Sequence, residues 1–247
     1  MPSPTDFNQS PYYDDFTESK NFHRILFRPA FAVQARELTQ SQSILQNQVE
    51  RVSDHLFDKG AMVIPGQISW DTDYQAVKLT SFTGSSTLSH FEDVEVTGGT
   101  SGVVGTIVNS VVTDGTDPNT LFIRYTKTGT DNAAKAFTDG ETITGTTAAS
   151  VALSAVVETT ATGSAAKIES GVYYINGFHV QVDEQTLILD KYTATPSYRI
   201  GLTVTESFET PNDDSTLNDN AQGSSNENAP GAHRHKILLT LAKKSLT

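Results

Sequence analysis

Cysteine is absent from all 247 residues. That removes disulfide staples and thiolate metal sites, and it leaves the redox compartment unread. Positive charge is scarce: 17 Lys and Arg stand against 29 Asp and Glu, a formal −12. A field of that sign repels a nucleic-acid backbone, so general binding to DNA or RNA is set aside. No run approaches the roughly 20 apolar residues a bilayer-spanning helix needs. The N-terminal MPSPTDFNQSPYYDDF has neither the basic nor the apolar region of a secretory signal. The expectation is a soluble protein with no membrane partner. Apolar residues are few as well, at 36%, as in chains of short strands and polar turns or in chains whose surface other subunits complete.

The first 28 residues read as an extended arm. Proline at 2, 4 and 11 discourages regular structure there. The same stretch nevertheless holds Phe7, Tyr12, Tyr13, Phe16, Phe22 and Phe27. Large apolar side chains left in water forfeit about 1.5–3 kcal/mol each. These six are therefore candidates for docking, either on the arm's own domain or on a neighbouring subunit.

A glutamine-rich helix is expected over residues 29–60. Pro29 suits a first turn and Gly60 a stop. Ala35, Leu38, Gln42, Leu45, Val49, Val52 and Leu56 alternate spacings of three and four over roughly three heptads. A seam so narrow suits a coiled coil better than a helix lying on a sheet. Gln42 is its one polar layer, a device that costs stability but fixes register. These seven residues are the candidate oligomer interface. Ordinary packing within the chain is the competing reading, with Val33, Ile44 and Phe57 widening the stripe.

From Ala61 the apolar period changes from helical to two. MVIPGQISW, YQAVKLTSF, TLFIRYTK, GVYYINGFHVQV, TLILDKY and RIGLTVTE read as strands between turn residues. Asn176-Gly177 is the strongest hairpin signal, since both residues tolerate positive φ. An offset of 46 residues lays AVKLTSF at 76–82 on FIRYTKT at 122–128, Glu95 on Glu141 and Ile107 on Leu153. Two such three-stranded copies, burying faces that neither buries alone, suggest a small pseudo-symmetric barrel or sandwich. The expected fold is mainly β with one long N-terminal α-helix: a hairpin-rich core at 61–82 and 159–206, with the repeat module inserted at 83–158. Residues 207–247 read as a long polar loop and a terminal strand, HRHKILLTLAKK.

Catalytic motifs are not found. TGGTSGVVGTIV is rich in glycine, yet it lacks the Lys-Ser/Thr of a phosphate loop and runs on as a strand. NDDSTLNDNAQG lacks the ligand spacing of a calcium loop. No nucleophile elbow accompanies the Ser, His and Asp residues. His233 and His235, two apart, share a face in a strand and form a minor metal candidate if copies meet on an axis. No metal or other cofactor is expected, and no enzymatic activity.

Residues 12–66, YYDDFTESKNFHRILFRPAFAVQARELTQSQSILQNQVERVSDHLFDKGAMVIPG, resemble the N-terminal signature of virion structural proteins of cyanophages and related tailed phages. GVYYINGFHVQV and the stretch from Pro196 to Ile237 resemble later parts of the same family. The resemblance implies the front portion of a tail-fibre or baseplate-associated protein: a homotrimer in the virion tail, joined to other tail or baseplate proteins and involved in host attachment. It brings no catalytic residues. A baseplate wedge component is the alternative within that class. Outside it stands a carbohydrate-binding or depolymerase module that recognises the host surface.

Overall fold

The computed structural model describes residues 5–84 and 87–246. The prolines at 2 and 4 of the expected arm lie outside the described residues. The chain is mostly antiparallel β with one α-helix, α1 (Ala35–Leu56). It divides into two compact units: Met1–Gln67, Ile168–Gln185 and Gly201–Ala242 form the first; Ile68–Lys167, Thr186–Ile200 and Lys243–Thr247 form the second.

α1 starts later than Pro29 suggests. Ala30 has φ +65, a left-handed conformation that interrupts any helix begun at Pro29. Gln34 is extended, and its backbone N–H donates to the Glu37 carboxylate at 2.9 Å, so Glu37 satisfies one of the amides that every helix start leaves bare. At the other end Phe57 turns extended. Its ring lies 6.0 Å from His179 and 6.1 Å from Tyr174, and that packing draws the chain out of the helix before Gly60.

The first unit also holds β1 (Met62–Ile64), β8 (Gly171–Ile175) and β9 (Phe178–Val182), hydrogen-bonded in the order β1-β8-β9. Ile175 pairs with Phe178 across Asn176 (φ +50) and Gly177 (φ +87). That is the two-residue turn whose twist matches the flanking strands. β11 (Tyr198–Glu209) and β12 (Arg234–Ser245) form a two-stranded sheet. Between them runs the polar segment 210–233, where Asp213 and Asp214 accept hydrogen bonds from Thr210 and Thr216 of their own turns.

The second unit contains β2 (Ile68–Thr83), β3 (Glu95–Gly98), β4 (Val104–Val111), β5 (Asn119–Lys127), β6 (Thr142–Thr146), β7 (Ala152–Ile168) and β10 (Gln185–Asp190). Their hydrogen-bonded order is β10-β7-β2-β5-β4-β3-β6, and β6 pairs back onto β7. The ladder therefore closes on itself, which leaves β10 as an added strand. The pairings come in related sets. β2 pairs with β5 and β3 with β6, while β3–β4 has its counterpart in β6–β7. Backbone bonds give the register: Asp93 N to Ile107 O and Ile107 N to Val94 O recur as Gly140 N to Val157 O and Val157 N to Glu141 O. Val94 thus corresponds to Glu141 and Ile107 to Val157. The even 46-residue offset matches neither pair, since they lie 47 and 50 residues apart: the connection 128–141 is longer than 84–94, and the second copy is longer again between Glu141 and Val157. Val77, Leu88, Phe91, Val96, Ile107, Leu121, Ile143 and Val157 fill the interior.

Candidate assembly surface

One face of α1 is spent on its own unit, chiefly through hydrogen bonds. Ile44 is the one large apolar helix residue buried there, accompanied by Ser53. Gln46 donates to the Gly177 carbonyl at 2.6 Å, and Gln40 to Asp15 at 2.6 Å. Ser43 donates to buried Asp14, and Ser53 meets His179 Nε2 at 3.0 Å. Tyr174 donates to Asp54 at 2.6 Å. That bond holds the Asp54 carboxyl below its ordinary range, while burial pushes the Tyr174 phenol up. The glutamine-rich composition of the helix now has a cause, since amides and hydroxyls reach backbone carbonyls and carboxylates where Leu would leave them unpaired.

The heptad seam lies on a different face. Ala35 and Gln42 are exposed. Leu38, Leu45, Val49, Val52 and Leu56 are exposed as well, Leu45 and Leu56 at 67% each. Of the three off-seam candidates, Ile44 is buried, Phe57 half-buried and Val33 exposed.

The arm divides into two parts. Phe7 sits edge-on to Phe208 and His235, at 5.9 and 5.0 Å between centroids. Tyr12 packs on Phe208 at 5.0 Å and shares a 2.7 Å hydrogen bond with His233 Nδ1. Phe16 is half-buried. Tyr13, Phe22 and Phe27 are exposed, as are Leu26 and Phe31. A groove of about 220 Å³ between arm and helix is lined by Lys20, Phe22, Ile25 and Gln40, among others.

His233 and His235 have intrachain partners. His235 Nε2 lies 3.2 Å from Glu206, which also accepts from Asn176. Among the described residues no group of three or more His, Asp or Glu is placed to hold a metal ion. No described helix is long and apolar enough to cross a membrane.

The glycine-rich turn 98–102 holds a carboxylate from its own chain. Glu141 accepts from Thr100 N and Ser101 N at 2.9 Å each, from Ser101 Oγ at 2.8 Å and from Thr138 N at 2.7 Å. Burial pushes the Glu141 pKa up, but the four donors outweigh it and the net shift is downward. A Cβ on Gly98 would stand 2.7 Å from a Glu141 oxygen, so the glycine lets the carboxylate come close. Residue spacing alone paired Glu141 with Glu95, which is exposed. The preceding longer connection was the available clue. In a second cavity of about 400 Å³, Lys191 donates to Asp114 and Asp117 at 2.9 Å each. These bonds raise the lysine pKa. The Asp117 backbone N–H, ahead of Lys191, lowers that of Asp114.

Fold and surface together define an antiparallel β protein with one helix whose apolar seam faces outward. The chain belongs to the family described as a domain of unknown function (DUF4815), matched over residues 10–121 and 107–246. No curated protein and no solved structure matches it.

Proposed function

We propose that this chain is a non-enzymatic structural protein of a phage tail, which self-associates through α1 as a homotrimer and forms the anchoring front portion of a tail fibre. The observation that carries the reading is the outward seam. All seven heptad positions are exposed while an adjacent face of the same helix is consumed by its own unit. Burying five Leu and Val side chains is worth on the order of 10 kcal/mol per copy. That is comparable with the cost of association, so the seam is adequate for assembly but not in excess. Gln42 sets the register of the assembled helices. The residues flanking the seam include Thr39, Ser41, Gln46 and Gln48, so no like-charge repulsion opposes self-pairing there. The phage-tail context, the virion location and the trimer come from the resemblance of residues 12–66 to tail proteins. The closed ladder of the second unit is read as the small barrel of a rigid collar.

Native mass by light scattering tests the assembly. The wild type is expected as a trimer and Leu45→Asp as a folded monomer with an unchanged far-ultraviolet spectrum. A monomeric wild type would overturn the reading.

A further inference from the structure

We infer that Lys20–Val33 is a cationic strap that lies on the acidic surface of a second copy of this chain. The inference rests on the proposed self-association and adds a second contact to it. Between Glu18 and Glu37 the charged side chains are Lys20, Arg24, Arg28 and Arg36, with no acid among them. Arg36 is within 3.8 Å of Asp15 of its own chain. The formal −12 of the chain is therefore +3 on the strap and −15 on everything else. Phe22, Leu26, Phe27, Phe31 and Val33 are interleaved with those cations, each more than half exposed. The segment belongs to no α-helix or β-strand. Arg28 stacks on Phe31 at 4.2 Å, which holds a charge and an apolar ring side by side for a common target.

Charge selects the occupant. Copies of −12 repel as they assemble, and a +3 segment crossing onto the −15 remainder of a neighbour offsets part of that repulsion. The strap also runs directly into the helix that carries the seam, so self-association brings every strap close to other copies. Exposed rings flanked by arginines gain by burial and by charge at the same surface.

Limited trypsin digestion of the full chain tests this, with cleavage after Lys20 and Arg24 followed by mass spectrometry and native mass measured in parallel. Cleavage follows the population of the open form, so assembled wild type should be cut there on the order of tenfold more slowly than monomeric Leu45→Asp. That protection should fade as salt rises. The double variant Arg24→Gln/Arg28→Gln should stay assembled through the seam while its Lys20 bond is cut at the monomer rate. Equal cleavage of assembled wild type and monomeric Leu45→Asp would overturn the strap and leave the seam standing. A monomeric wild type would overturn both. Sedimentation with phosphatidylserine vesicles provides a separate check. Wild-type binding that disappears in the double variant would overturn the proposal and assign the strap to an anionic lipid surface.

Discussion

The interior of the second unit and the helix of the first treat their apolar residues in opposite ways. In the second, the closed ladder surrounds side chains such as Phe91, Val96 and Ile143, all without solvent exposure. In the first, the helix is fastened by Gln40, Ser43, Gln46 and Ser53, while most of its large apolar side chains point outward. Hydrophobic burial drives folding roughly in proportion to area removed from water. The closed ladder of the second unit buries its interior within the chain, although Ile68, Trp70, Val112 and Val151 of that unit stay exposed, whereas the helix of the first keeps its whole seam exposed. A core completes a fold, and the exposed seam on a polar-docked helix is the surface on which the proposed association rests.

The contrast can be broken at its strongest point. Phe91→Ala should destabilise the second unit by about 3–5 kcal/mol, the range for emptying a buried ring, as urea unfolding would measure. A loss below about 1 kcal/mol would show that this interior is not close-packed. Next in size, Glu141→Gln should cost about 2 kcal/mol at neutral pH, because the amide cannot accept all four donors. The pH dependence has a definite sign. The folded pKa lies below the usual 4.5, so the carboxylate's stabilisation is complete above the unfolded value and is lost as pH falls through the folded one. The gap between wild type and variant should therefore close in acid; a constant gap would count against the carboxylate's role.

Gly177→Ala should cost about 1 kcal/mol in the first unit, the penalty of a side chain in the left-handed region. Gly177 has φ +87, and the nearest atoms to an added Cβ belong to the flexible Glu50 side chain. Thermal unfolding would measure it, and no change would mean that the turn had rearranged. The smallest effect should come from Leu45→Ala. In dilute monomer it should change stability by less than about 0.5 kcal/mol, as exposed positions do, while weakening association. A large loss in the monomer would mean that the seam packs within its own chain.

Some of this architecture was legible because it depends on neighbours in sequence. Asn176-Gly177 signals a tight turn through its own tolerance of positive φ, and the hairpin Ile175–Phe178 follows. The heptad spacing put seven residues on one helical face. The start of α1 was misread, because Pro29 suits a first turn whatever its successor does, and Ala30 takes a left-handed conformation that alanine does not announce. The interior repeat was legible as alternating strands, yet its register was not: strand pairing is set by loop length and by backbone bonds between distant residues. Glu141 shows the difficulty most plainly. Apart from the longer connection before it, little in its own neighbourhood separates it from Glu95, and the approach of Thr100 and Ser101 from distant sequence makes it a buried anchor.

By itself, then, the sequence determined the helix face, the Asn-Gly hairpin, the acidic balance and the cationic stretch from Lys20 to Arg28, all properties of composition and short-range geometry. The tertiary structure decided which face of α1 its own unit uses, which of two similar glutamates is enclosed, and where the arm's ordered contacts give way to exposed rings. Those outcomes depend on which distant surfaces meet, and burial and hydrogen bonding act on surfaces that a linear pattern does not specify.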